Sequence, residues 1–189
     1  MLFRSAASFQ KPEPGLEHQD AMPEAPTPES LPTLDERSAA HAVRFAKEVT
    51  GRKIIARPFD LRTADPVEDP RTPSKRPPAR LVWLKTIDRL PDDPALHHYL
   101  LAYASDYAFV STALLPHGVS IFSPRMQVAS LDHVMWFHRP CRVDEWLLYV
   151  IDSPAAHGAR GLVRGRVFTR DGVLVASTAQ EGLMRLRDG

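Results

Sequence analysis

Asp106 lies within Leu100-Leu101-Ala102-Tyr103-Ala104-Ser105-Asp106-Tyr107-Ala108-Phe109-Val110, an otherwise mostly apolar stretch. An ionised carboxylate among apolar side chains costs several kcal/mol unless it is hydrogen-bonded, or else its pKa rises. It is therefore either a structural carboxylate that anchors backbone or an acid–base group held in a site. Ala129-Ser130-Leu131-Asp132-His133 brings a hydroxyl, a carboxylate and an imidazole close together. On an alternating strand Ser130 and Asp132 share a face and His133 turns to the other. That parity argues against a nucleophilic Ser-His-Asp triad, and no Gly-x-Ser-x-Gly elbow surrounds Ser130. Gln180, before Glu181, is ordinary strand chemistry taken alone. Joined by a buried Asp and a Ser, it completes a set able to orient one water: the carboxylate as acceptor and base, the hydroxyl and amide as positioners.

Other chemistry is poorly served. His97-His98 and the pair His133 and His138 do not have the spacing of known metal ligands. Cys141 is the only cysteine, so neither an intrachain disulfide nor a thiolate metal cage is available. A single cysteine fits a reducing compartment. Of the 189 residues 43% are hydrophobic and 25% charged, the balance of a soluble globular chain, and a net charge of +1 gives no case for nucleic-acid binding. Residues 1–10 are too poor in apolar side chains for a signal peptide, and Arg187-Asp188-Gly189 matches no common address signal, so a cytoplasmic location is expected.

The elements that must carry these residues can be read in outline. Residues 2–10 suggest a short strand, and the proline-rich stretch 11–32 an extended linker. Residues 35–48 read as a helix capped by Asp35, and 54–61 as a strand, with Pro58 better suited to an edge. A proline-rich loop, 66–78, leads to a buried strand at Leu81-Val82-Trp83-Leu84. Residues 94–115 read as one long helix, apolar on nearly every face, ended by Pro116-His117-Gly118. Its apolar run from His98 is shorter than the roughly 20 residues of a membrane span, so a buried helix is expected. Strands follow at 126–137, 145–153, 161–170 and 173–186, the last two joined by Asp171-Gly172, the signal of a type I′ turn. A helix that cannot face water, followed by antiparallel strands, predicts an α+β fold in which a curved antiparallel sheet wraps a central helix.

The motifs carry a resemblance. Ala102-Tyr103-Ala104-Ser105-Asp106-Tyr107-Ala108-Phe109, continued by Ser111-Thr112-Ala113-Leu114-Leu115-Pro116-His117, resembles the central helix of the type II acyl-CoA thioesterases. So do Ala129-Ser130-Leu131-Asp132-His133, Met135-Trp136-Phe137-His138-Arg139-Pro140, Asp144-Glu145-Trp146, Arg160-Gly161-Leu162 and Gln180-Glu181-Gly182, in that order. Ser8-Phe9-Gln10, Leu16-Glu17-His18-Gln19 and Met22-Pro23 are similar to the family's linker. The resemblance implies a hotdog fold and hydrolysis of acyl-CoA to fatty acid and CoA. It implies a water held by Asp106, Ser130 and Gln180, and no metal or redox cofactor. Ser130 stands where some members have Thr, which keeps the hydroxyl. Asp132 and His133 are expected to act as supports.

Family members resemble two fused hotdogs. Here residues 1–10 are similar to the last strand of the first, 11–50 to a linker with a helix, and 51–189 to the second hotdog, which suggests a truncated or alternatively started chain. An apolar face normally covered by the other hotdog is then expected to drive homo-oligomerisation. The alternatives are a catalytically silent acyl-CoA-binding or assembly half, and a hotdog hydratase with His133 as base, whose wider motifs fit less well. Arg139, Arg160 and Arg164 are candidates for CoA contact by charge alone.

Overall fold

The computed structural model describes residues 4–33, 36–37, 58–66, 68–69 and 71–187. Seven strands, β1 (Phe59–Thr63), β2 (Ala79–Thr86), β3 (Met126–Ser130), β4 (Val134–Phe137), β5 (Leu147–His157), β6 (Arg160–Thr169) and β7 (Leu174–Leu186), form one sheet. Its order is β1-β2-β5-β6-β7-β3, with β4 also paired to β7 and every pairing antiparallel. The helices α1 (Pro94–Ala104) and α2 (Phe109–Leu114) supply the inner core, with Leu101, Ala104, Phe109 and Ala113 packed among Tyr149, Ile151, Val163 and Val167. This is the expected hotdog architecture, a curved antiparallel sheet around a helical centre.

Alternation sorts the two faces. In β6, Gly161, Val163, Gly165 and Val167 are buried towards the helices, while Arg160, Leu162 and Arg164 face outward and are exposed. The outer face is not bare. Trp83, Leu148, Val150 and Phe168 form a second cluster, against which Met22, Ala25 and Leu31 of the proline-rich linker pack. Trp83 Nε1 donates to Pro26 O at 2.8 Å, so the linker is fixed by a hydrogen bond as well as by apolar burial.

Several expectations are corrected. Residues 4–10 form no strand; they are exposed and make no ladder with any described strand that could satisfy their backbone. The helix expected over 35–48 lies outside the described residues except for Glu36 and Arg37. Of the strand expected over 54–61, residues 58–61 are described. β1 begins after Pro58 at the sheet's outer strand, where a missing N–H costs no ladder bond. The single helix over 94–115 is two, separated by residues 105–108, and the strand over 126–137 is also two. The turn at Asp171-Gly172 is not type I′, because only Gly172 has positive φ there, +92°. Thr169 O accepts from Gly172 N and Thr169 N donates to Val173 O, which makes a three-residue connection with glycine at the left-handed position. The two-residue turn with both φ values positive joins β5 to β6 at Gly158 and Ala159.

The segment before α1 is tied to the loop before β5. Asp144, its side chain 1% exposed, accepts from Leu90 N at 3.0 Å and from Arg142 Nη2 at 2.9 Å. Arg142 returns a bond to Leu90 O and pairs with Asp92. Asp93 caps α1 by accepting from Ala95 N. The Arg142 guanidinium beside Asp144 holds its carboxyl well below the usual carboxylate range, in spite of burial. Ionised Asp144 thus favours the folded chain. Its contribution is complete above the ordinary aspartate value of about 3.9 and is lost as pH falls towards the folded value. Asp144→Asn should lower stability at neutral pH by about 2–3 kcal/mol and flatten the acid limb of the stability profile. Urea unfolding of both proteins across that range checks it; an acid limb of unchanged slope would refute the assignment.

Candidate active site

The break between α1 and α2 builds one side of the site. Ala108 takes φ +61°, a left-handed conformation that ends one helix before the next begins. Its carbonyl is well used, accepting from Ser111 Oγ, Thr112 Oγ1 and, at 3.4 Å, Arg80 Nη1. Arg80 is in turn ion-paired with Asp65 at 2.7 Å, so the loop before β2 braces the break. Ser105 O, freed by the break, accepts from the Tyr149 hydroxyl at 2.9 Å. That donation uses the phenol's one proton, so Thr178 Oγ1, 2.8 Å away, donates to the phenol oxygen. The Tyr149 ring reaches Thr178 by lying over Gly165 of the strand between. A Cβ there would overlap the ring and stand 2.5 Å from Thr178 Oγ1. Burial, with the Asp106 charge adding to it, pushes the phenol's pKa up and keeps it a neutral donor.

Asp106 is on this break, exposed, and not buried in a helix as its apolar sequence surroundings suggest. The turn swings it outward while Ser105 and Phe109 point into the core. Among the described residues its carboxylate has no hydrogen-bond or ion-pair partner, which leaves its oxygens open to a water or ligand.

The other side comes from a bulge. Ser130 pairs with Gly182, and Val134 with Ala179: four steps along β3–β4 against three along β7. One extra residue reverses the parity of the chain. Ser130 faces inward before the bulge and His133 faces inward after it, so the expectation that they point to opposite faces is corrected. Asp132 stabilises the bulge by accepting from Glu181 N at 2.7 Å. Gln180, 1% exposed, then bridges two groups: its Nε2 is 2.6 Å from Ser130 Oγ and its Oε1 2.7 Å from His133 Nδ1. The far side of the imidazole, Nε2, is 2.8 Å from Ser105 Oγ, and the ring meets Phe109 edge-on at 5.8 Å between centroids.

Ser130 and Gln180 are thus in direct contact. Asp106 touches neither and is joined to them through its neighbour Ser105 and His133. Arg160 and Arg164 are on the outer face, opposite Gln180, paired with Glu181 at 3.1 Å and Asp152 at 2.6 Å. Arg139 contacts Leu174 O and Glu17 of the linker. Ser105, Tyr149 and Thr178 were not singled out by sequence. Thr178 could have been, standing two residues before Gln180 and so on its face.

Tyr149→Phe should cost about 1–3 kcal/mol, since it leaves Ser105 O without its donor and Thr178 without its acceptor inside the core. Chemical denaturation measures this, and a stability equal to that of the unsubstituted chain would show that the hydroxyl is not what fixes the break.

Comparison with known proteins gives the family. The family model described as acyl-CoA thioesterase matches residues 64–183. The chain is 38% identical to acyl-CoA thioesterase 2 of Haemophilus influenzae, over 96% of this chain and 63% of that protein. It is likewise 38% identical to acyl-coenzyme A thioesterase 8 of Mus musculus, over 98% of this chain and 60% of that one. The crystal structure of an acyl-CoA thioesterase II from Mycobacterium marinum superposes with a TM-score of 0.72 at 40% identity, covering 95% of this chain and 61% of its own. The chain therefore spans about three fifths of the length of these relatives. With the fold, the motif order and the family match in agreement, this chain belongs to the type II acyl-CoA thioesterase family.

Proposed function

We propose that this chain hydrolyses fatty acyl-CoA to free acid and CoA by direct attack of water. The observation that carries this reading is the Ser130–Gln180 contact of 2.6 Å, linked through His133 to Ser105, the neighbour of an exposed Asp106 whose carboxylate has no partner among the described residues. Asp106 accepts a proton as the water oxygen bonds to the thioester carbonyl carbon. Ser130 and Gln180 hold the water's direction. Collapse of the tetrahedral intermediate breaks the carbon–sulfur bond, and the proton leaves with the CoA thiol. The relatives named as acyl-CoA thioesterases support this substrate class.

Asp106→Asn should lower kcat by about two to three orders of magnitude with KM within about twofold, because the interaction lost belongs to the transition state. Thiol release from a fatty acyl-CoA measures both. An unsubstituted chain that binds acyl-CoA without turnover would overturn the reading in favour of a silent binding or assembly half.

We further propose that the chain self-associates through the edge carrying β4. Leu131, Val134, Trp136 and Phe137 are 52%, 44%, 52% and 44% exposed there, a dense apolar group for a free surface. Light scattering should give a mass of at least two chains at micromolar concentration; a stable monomer would refute it.

A further inference from the structure

The contacts around His133 admit few placements of hydrogen, and those placements bear on the reaction. With Gln180 Nε2 donating to Ser130 Oγ, its Oε1 faces His133 Nδ1, so Nδ1 must donate. Ser105 Oγ gives its one proton to Ala102 O at 2.7 Å, so His133 Nε2 must donate to Ser105 as well. Both ring nitrogens then carry hydrogen, and His133 is a cation. Turning the Gln180 amide by half a turn keeps the same heavy-atom positions and reverses this. Ser130 donates to Gln180 Oε1, Gln180 Nε2 donates to His133 Nδ1, and a neutral ring donates from Nε2 to Ser105. Every contact is again satisfied. A neutral ring protonated on Nδ1 would need Ser105 to turn away from Ala102 O, with one bond fewer.

We infer that His133 is a positioning residue whose proton content decides which end of the Gln180 amide faces Ser130. The inference rests on the thioesterase reading of Asp106, Ser130 and Gln180. When His133 is neutral, the Ser130 proton is held by Gln180 Oε1, and Ser130 Oγ offers a lone pair to the site. A water there gives one hydrogen to Asp106 and the other to Ser130, which leaves its own lone pair free for the carbonyl carbon. When His133 is charged, Gln180 donates to Ser130. The Ser130 proton then points into the site, where it competes for the water's lone pair or for Asp106. The neutral arrangement is the productive one.

The ring's surroundings leave this exchange to hydrogen bonding. The charged groups next in sequence to the residues that contact the ring, or to the ring's own residue, are Asp106 on the helix break, Asp132 in the bulge, and Glu181 on β7 with its partner Arg160 on β6. None of these is hydrogen-bonded to the ring. Asp132 is occupied by Glu181 N and Glu181 by Arg160.

Long-range proton–nitrogen NMR of the full chain reads the ring directly. The expected result is an Nε2–H tautomer for neutral His133, with the Gln180 side-chain amide signals shifting at the same midpoint as the ring. A neutral Nδ1–H tautomer, or amide signals that do not follow the ring, would overturn the inference. The kinetic counterpart is an acid limb in kcat at that midpoint. His133→Asn places an acceptor oxygen at the position of Nδ1 that takes no proton. It should keep kcat at alkaline pH within about tenfold, keep KM within about twofold and abolish this limb. Persistence of the limb in His133→Asn would equally overturn the inference. If the unsubstituted chain shows no hydrolysis, it is the thioesterase reading that fails, and the NMR result still decides the behaviour of His133.

Discussion

The Tyr149 hydroxyl ties together three parts of the fold that have little else in common. Its donation to Ser105 O satisfies a carbonyl that the break between α1 and α2 leaves without a helical partner. Its acceptance from Thr178 fixes the same point to β7. The contact is possible because Gly165, on the strand between β5 and β7, has no side chain to block the ring. Without that crossing, the turn bearing Asp106 would be held to the strand bearing Gln180 only by core packing and the Ser105–His133–Gln180 contacts.

The bulge between β3 and β4 is the matching device on the sheet. An unbroken strand would direct His133 to the outer face and leave the Gln180 oxygen without a partner in the core. One extra residue, held by Asp132 on Glu181 N, turns the imidazole inward instead. Ser130, Gln180, His133 and Ser105 then form one hydrogen-bonded run from β3 to the helix break. In such a run no group changes its donor role alone, because the direction in which each hydroxyl or amide donates is fixed by the next.

The outer face shows how a sheet with two apolar sides is reconciled with water. Residues 147–151 of β5 are buried on both faces, and the linker supplies the second cover with a few apolar side chains and a bond from Trp83. The arginines of β6 meet carboxylates of β5, β7 and the linker and keep the rest of the face polar. The β4 edge has no comparable cover among the described residues. It is also the edge next to the site, so association there would bear on the site's exposure as well as on solubility.

By itself the sequence determined the class of fold and the identity of the strands from β5 to β7, and its motifs suggested the three residues proposed to hold a water. Alternation in β6 and β7, the apolar run around Ala104 to Val110 and the order of the motifs are local properties, legible without coordinates. It did not determine where Asp106 lies. An apolar stretch reads as one continuous helix because periodicity cannot register a single residue at φ +61° whose carbonyl is bonded by Ser111, Thr112 and Arg80. Nor did it determine the direction of His133, since parity counted from Ser130 fails once one residue is unpaired. Both errors have the same origin. The break and the bulge are stabilised by partners distant in sequence, Tyr149 for Ser105 and Glu181 for Asp132, and only the closed sheet brings those partners within hydrogen-bond reach.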